Sequence, residues 1–257
     1  MKKLLLLLAL VPGLAWAAPS FVAKGTVAQA VSLTASPTVP AAAVTDDIII
    51  VLTNSSLNSA ITCTANCGSP AFAAVATQYG ATSLRYGVWY RRVQSGESGA
   101  VPTPTFSQTG TASKFTANSY VFRCVDTTTA LDVVSGSGIV AEASATTFTG
   151  DAVTTTVDDS MVIFAVGSQD DNTWGTPGGS IDTIQYDVGA TSTPDNSIAV
   201  GYAGNGNGAA GAKSAPTMVQ ASLGADAGVS LTFALRASTA GACGPSLGSG
   251  GMMGFWP

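Results

Sequence analysis

Between Gly167 and Trp174 the chain reads Gly167-Ser-Gln-Asp-Asp-Asn-Thr-Trp174, a short segment holding carboxylates, amides and an indole. Asp170, Asp171 and Asn172 offer the oxygen atoms that calcium takes. Calcium needs about six to eight such ligands, more than this loop holds. A solvated acidic loop is the favoured reading, and no cofactor or metal is expected. Trp174 among polar neighbours has the make-up of a platform for the apolar face of a sugar. Tyr202 and Asn205, at the turn Gly204-Asn-Gly-Asn-Gly208, would line the same rim if the fold brings them near. The competing reading packs Trp174 over the edge of the fold.

Other chemistry is sparse. The chain has no His, which excludes Ser-His-Asp and Cys-His catalysis and His-ligated metals. Glu occurs only at positions 97 and 142. Glu142, in Val140-Ala-Glu-Ala-Ser144, is the best candidate acid, since apolar neighbours raise a carboxyl pKa. A retaining glycosidase needs a second carboxylate about 5–5.5 Å away, and none pairs with it convincingly. Arg91 and Arg92 follow Trp89 and Tyr90 in an expected strand, so they point to opposite faces. They are read as partners of an Asp or of Glu97 rather than as a phosphate clamp. The Gly204–Gly208 turn lacks the Lys-Ser/Thr ending of a phosphate loop.

Four cysteines, Cys63, Cys67, Cys124 and Cys243, allow three disulfide connectivities, among which sequence does not choose. The Cys63-Thr-Ala-Asn-Cys67 spacing favours a local staple contributing ~2 kcal/mol at best. Cys124 lies in an apolar run and is read as a small hydrophobe; Cys243 falls in a Gly-rich tail.

These groups sit on a chain of 257 residues that is 46% hydrophobic and only 10% charged, against a usual ~25% charged. The net charge of −5 argues against nucleic acid as a partner. No 12-residue stretch has a capped helical period. Strand-like runs rich in β-branched residues alternate with Gly, Pro, Asn and Ser clusters, as in an all-β sandwich. Strands are expected at 48–53, 71–77, 84–93, 114–125, 138–145, 161–167, 180–188, 198–203, 217–223 and 229–237. Val44-Thr-Asp-Asp-Ile-Ile-Ile-Val51 echoes Val157-Asp-Asp-Ser-Met-Val-Ile-Phe164. The echo points to two equivalent halves, each built on a central strand buried on both faces. The paired Asp are read as turn residues rather than as an acid/base pair.

Residues 1–17 read as a secretory signal: Lys2 and Lys3, an apolar stretch too short to span a bilayer, then Ala15-Trp-Ala17. Residues 18–43 are expected as a lead-in, 44–237 as the sandwich domain, and 238–257 as a flexible Gly-rich tail. No later segment is apolar enough to span a membrane. The expected location is secreted, extracellular or cell-surface.

Five segments, in order, resemble a group of phage and prophage structural proteins. They are Asp46-Asp47 with Ile48 to Leu52; Tyr86-Gly-Val-Trp-Tyr-Arg-Arg92 with Ser95-Gly-Glu-Ser-Gly99; Tyr120-Val-Phe-Arg-Cys-Val-Asp126 with Leu131-Asp-Val-Val134; Val153 to Ala165; and Leu231-Thr-Phe-Ala-Leu-Arg236. The resemblance covers roughly residues 40–240. It implies a two-sheet antiparallel jelly roll, virion-associated or on an exported surface, without catalysis. The Cys63–Cys67 loop stands where that group often has Pro-Gly-Trp, and a cleavable signal is unusual for it. The reading is a non-enzymatic structural β-sandwich, exported or virion-associated, that binds a surface glycan or other protein subunits. The alternatives are a carbohydrate-active glycosidase or lyase and a self-assembling surface-layer or filament subunit.

Overall fold

The computed structural model describes residues 16–81, 83–170, 173–187, 196–204, 206–220, 226–239 and 243. All regular elements among them are strands, and all strand pairs are antiparallel. The first half holds β1 (Trp16–Ala17), β2 (Ser20–Lys24), β3 (Ala28–Ser32), β4 (Thr34–Ala35), β5 (Ile48–Ser55), β6 (Thr62–Ala65), β7 (Ala73–Ala74), β8 (Tyr79–Ala81), β9 (Leu84–Arg92), β10 (Thr105–Ser107) and β11 (Ser113–Arg123). The second holds β12 (Leu131–Val134), β13 (Val140–Ala145), β14 (Thr147–Thr149), β15 (Val153–Thr155), β16 (Met161–Ser168), β17 (Trp174–Gly178), β18 (Thr183–Asp187), β19 (Ser197–Tyr202), β20 (Gly211–Lys213), β21 (Thr217–Gln220), β22 (Asp226–Leu235) and β23 (Ser238–Thr239).

Each half alternates between a large sheet and a small one. The large sheets run β2-β11-β5-β9-β7 and β12-β22-β16-β19-β18, with β3 also on β11, β8 on β9 and β13 on β22. The small sheets run β4-β10-β6 and β14-β21-β17. The corresponding strands β3/β13, β4/β14, β5/β16, β6/β17, β9/β19, β10/β21 and β11/β22 begin 112 or 113 residues apart. The halves expected from the sequence echo are therefore two copies of one path. The echo is corrected in one detail: Asp46 corresponds to Asp159, not Asp158. Both stand two residues before a central strand with left-handed φ of 73° and 58°.

Strand alternation explains the layering. In β5, Ile48, Ile50 and Leu52 face one core while Ile49 and Val51 face another. In β16, Met161, Ile163 and Ala165 join the first core, and Val162, Phe164 and Val166 face a third. The shared core lies between the two large sheets; each outer core lies under a small sheet. Burial on both faces favours apolar side chains at successive positions, which is why Ile48 to Leu52 and Met161 to Val166 read as unbroken runs. Each fully buried Ile, Leu or Phe contributes about 1.5–3 kcal/mol of transfer free energy.

Residues 18–43 are not a mere lead-in. They supply β2 and β3, which pair along β11, and β4 of the first small sheet. The expected strand at 71–77 contracts to Ala73–Ala74. At the other end, β23 pairs with β1, so cleavage after Ala17 would remove β23's partner strand.

Candidate functional site

Trp174 opens β17 and is only 3% exposed. Its indole meets Phe148 edge-on at 5.1 Å, and Nε1 donates to Ser197 Oγ at 3.0 Å. With its ring face in the outer core of the second half, it offers no stacking platform, and the expectation of an exposed indole is corrected. Tyr202 ends β19 and is also buried, stacked on Phe21 at 5.2 Å and edge-on to Phe122 at 5.8 Å. The two aromatics serve cores on opposite faces of the same sheet, so they share no rim. Asp170 is half-buried, its amide donating to Ser168 Oγ at 3.3 Å. Asp171, Asn172 and Asn205 lie outside the described residues. Among the described residues no three His, Cys, Asp or Glu side chains gather as metal ligands would. No helix among them is long and apolar enough to cross a membrane.

The charged side chains stitch loops to strands. Asp47, buried just before β5, takes two bonds from Arg123, Nε to Oδ1 at 2.9 Å and Nη2 to Oδ2 at 2.8 Å. It also takes the Val44 amide at 2.9 Å. Arg91 reaches Glu97 at 2.8 Å and lies 5.4 Å from the Phe72 ring, as the strand alternation led one to expect. Arg92 turns to the other side and donates to the Asp46 and Asp126 carbonyls. Asp126 receives the amides of Thr128 and Thr129, Asp158 that of Ala210, and Asp182 that of Gly204. Burial, with Asp151 nearby, holds the Glu142 carboxyl above its ordinary range despite hydrogen bonds from Ser230 and the Thr149 amide. Cys63 and Cys67 stand at disulfide-bonding distance with Cα atoms 5.8 Å apart, stapling the loop after β6 against the first outer core.

A cavity of about 180 Å³ opens where the two large sheets meet at one end. Asn54 and Ser56 reach it from the end of β5, Ser83 and Leu84 from the start of β9, and Lys114 from β11. Gln169, just after β16, and Asn196, just before β19, come from the second half. A buried network holds this wall. Asn54 Nδ2 donates across the seam to the carbonyls of Ser168 at 2.7 Å and Ser197 at 3.2 Å. Asn196 returns a bond to the Asn54 carbonyl at 3.3 Å and accepts one from the Thr116 hydroxyl. Gln169 Nε2 donates to the Ser83 carbonyl and hydroxyl at 3.3 and 3.1 Å. Asn54 Oδ1 is buried with no hydrogen-bond partner. Amides, hydroxyls, one ammonium and one Leu wall suit hydrogen bonding to a neutral polar group. The volume is below the roughly 300–1,000 Å³ of drug-sized sites, so it holds a small unit only.

Sequence reading did not find this cavity. Its residues come together from positions 54 to 196, and only folding assembles them. The one local signal is the polar end Thr53-Asn54-Ser55 that follows the apolar run of β5, where a buried amide needs partners. Comparisons with protein-family models, with curated proteins and with solved structures find no match for the chain.

Proposed function

We propose that the chain is a non-enzymatic structural β-sandwich acting outside the cytoplasm, exported or carried on a virion. In this reading it binds a surface glycan at the seam cavity. The observation that carries it is the cavity's lining, in which the amides of Asn54, Gln169 and Asn196 and the hydroxyls of Ser56 and Ser83 stand beside the Lys114 ammonium. The amides and hydroxyls match sugar hydroxyls as donors and acceptors at once, and the ammonium donates. The engagement of Asp47, Glu97, Arg91, Arg92 and Arg123 in loop attachment supports a structural role for the ionic groups.

The test is glycan-array and whole-cell binding by the purified chain, beside a Gln169→Ala/Lys114→Ala double variant. Binding by the wild type that falls at least tenfold in the variant is the expected result. Undiminished binding by the variant removes the cavity from the reading, and no binding by the wild type removes the glycan. A self-assembling subunit is favoured by one observation. Val31 is 55% exposed on β3, which among the described residues pairs only with β11. Concentration-dependent light scattering would then replace glycan binding as the positive signal.

A further inference from the structure

We propose that Cys124 and Cys243 form a second disulfide, which fastens the chain beyond β23 to the junction between the two halves. Cys124 follows the last residue of β11 and adopts a left-handed φ of 64°. That conformation is uncommon for a residue with a Cβ, and it turns the side chain out of the strand register. The backbone around it is zipped to the end of the second half. The Cys124 carbonyl accepts the Ser238 amide at 3.0 Å, Val125 bridges Ala237, and the Asp126 amide reaches the Arg236 carbonyl at 2.9 Å. Cys243 lies five residues beyond Ser238, and its free thiol neighbours that of Cys124. Both sulfurs stand close enough to the Arg123 guanidinium to favour its charged form, which places them in one neighbourhood.

An S–S bond needs the two sulfurs about 2.05 Å apart and the Cα atoms within about 7 Å. Burial, then the neighbouring Cys243 thiol, pushes the Cys124 thiol up to about 12, so exchange at this sulfur is slow at neutral pH and the oxidation is run at alkaline pH. Oxidation needs an acceptor, and a low-molecular-weight disulfide such as oxidised glutathione supplies it. One bond forms between the two cysteine sulfurs and the acceptor's S–S bond breaks. The two electrons and two protons leave on the acceptor as two thiols. The ring so closed spans the whole second half, unlike the four-residue step of Cys63 to Cys67.

The experiment is thiol mapping of the full chain after incubation with oxidised glutathione, alkylation under denaturing conditions and digestion. The expected result is a peptide pair joining Cys124 to Cys243, two hydrogens lighter than the separate peptides. That pair should persist in a Cys63→Ser/Cys67→Ser variant. Alkylated Cys124 and Cys243 in the oxidised wild type, or Cys124 joined to Cys63 or Cys67, would overturn it. Loss of the bond in Cys243→Ser should lower the Tm by roughly 5–10 °C under oxidising conditions and by far less with reductant. An equal shift with and without reductant counts against the bond. In the cell the disulfide would persist only in the oxidising exterior proposed above, whereas the mapping in vitro is independent of location.

Discussion

Asp47 and Ser160 occupy the same place in the two halves, one residue before the central strand, and each is 1% exposed. Asp47 is held by the two-pronged grip of Arg123. Ser160 has a hydroxyl with no partner, although Arg236 stands 113 residues after Arg123. Yet both halves follow the same path with the same spacing. The shared feature is the doubly buried apolar strand together with its antiparallel neighbours. The ion pair is therefore a local fastening of the first half, and burial in alternating layers sets the topology.

The largest expected effect breaks this comparison directly. Asp47→Asn leaves the Arg123 fork and the Val44 amide poorly matched, and should cost about 2–4 kcal/mol in chemical denaturation. Ser160→Ala removes a buried hydroxyl that bonds to nothing, and should fall within about 0.5 kcal/mol of wild type or stabilise. Equal losses at the two sites would mean that the second half has a clamp of its own.

A smaller effect sharpens the comparison at the other end of the same strands. Asn54 and Gly167 are also equivalent, and here they meet. A Cβ on Gly167 would stand 2.7 Å from Cε2 of the buried Tyr86 ring and 3.1 Å from Asn54 Nδ2. The amide of one half thus uses the space that the glycine of the other leaves open. Gly167→Ala should cost about 1–3 kcal/mol through overpacking. Asn54→Ala should cost a similar amount by stripping the Ser168 and Ser197 carbonyls of a donor. The double variant should be less damaging than the sum by about 1 kcal/mol, because the shortened side chain relieves part of the crowding. Strict additivity in that cycle would show that the two positions do not press on one another.

What the sequence makes legible follows the same physics. Ile48 to Leu52 and Met161 to Val166 are readable because burial on both faces leaves an unbroken apolar signature. The strands of the small sheets, such as β4 and β10, have two or three residues and are too short to show any period. Trp174 misleads because its sequence neighbours are polar while its spatial neighbours, Phe148 and Met218, come from elsewhere. Cys124 reads as one more apolar residue because a left-handed bend leaves no mark in composition. The seam cavity is invisible for the same reason on a larger scale: none of its walls is local.

The smallest effect concerns the only two glutamates, one in each half, which are perturbed in opposite directions. At Glu97 burial works against ionisation, but the Arg91 hydrogen bond, the Gln94 amide and the Arg91 charge outweigh it and hold the carboxyl below its ordinary 4.5. At Glu142 burial, with Asp151 nearby, prevails over the bonds from Ser230 and Thr149 and holds it above 4.5. Where Glu97 titrates, the unfolded chain binds more protons than the folded one, so stability rises with pH and is lost as pH falls through the lowered value. Where Glu142 titrates, the folded chain binds more, so stability falls as pH rises past the ordinary value. Glu97→Gln should therefore become more damaging, relative to wild type, as pH climbs from acid to neutral. Glu142→Gln should become less damaging over the same span. Urea midpoints at several pH values give both trends, and slopes of the same sign would mean that the two carboxyls share one environment. Opposite slopes would place the cation-held carboxylate in the first half and the one without a cation in the second, matching the asymmetry of Asp47 and Ser160.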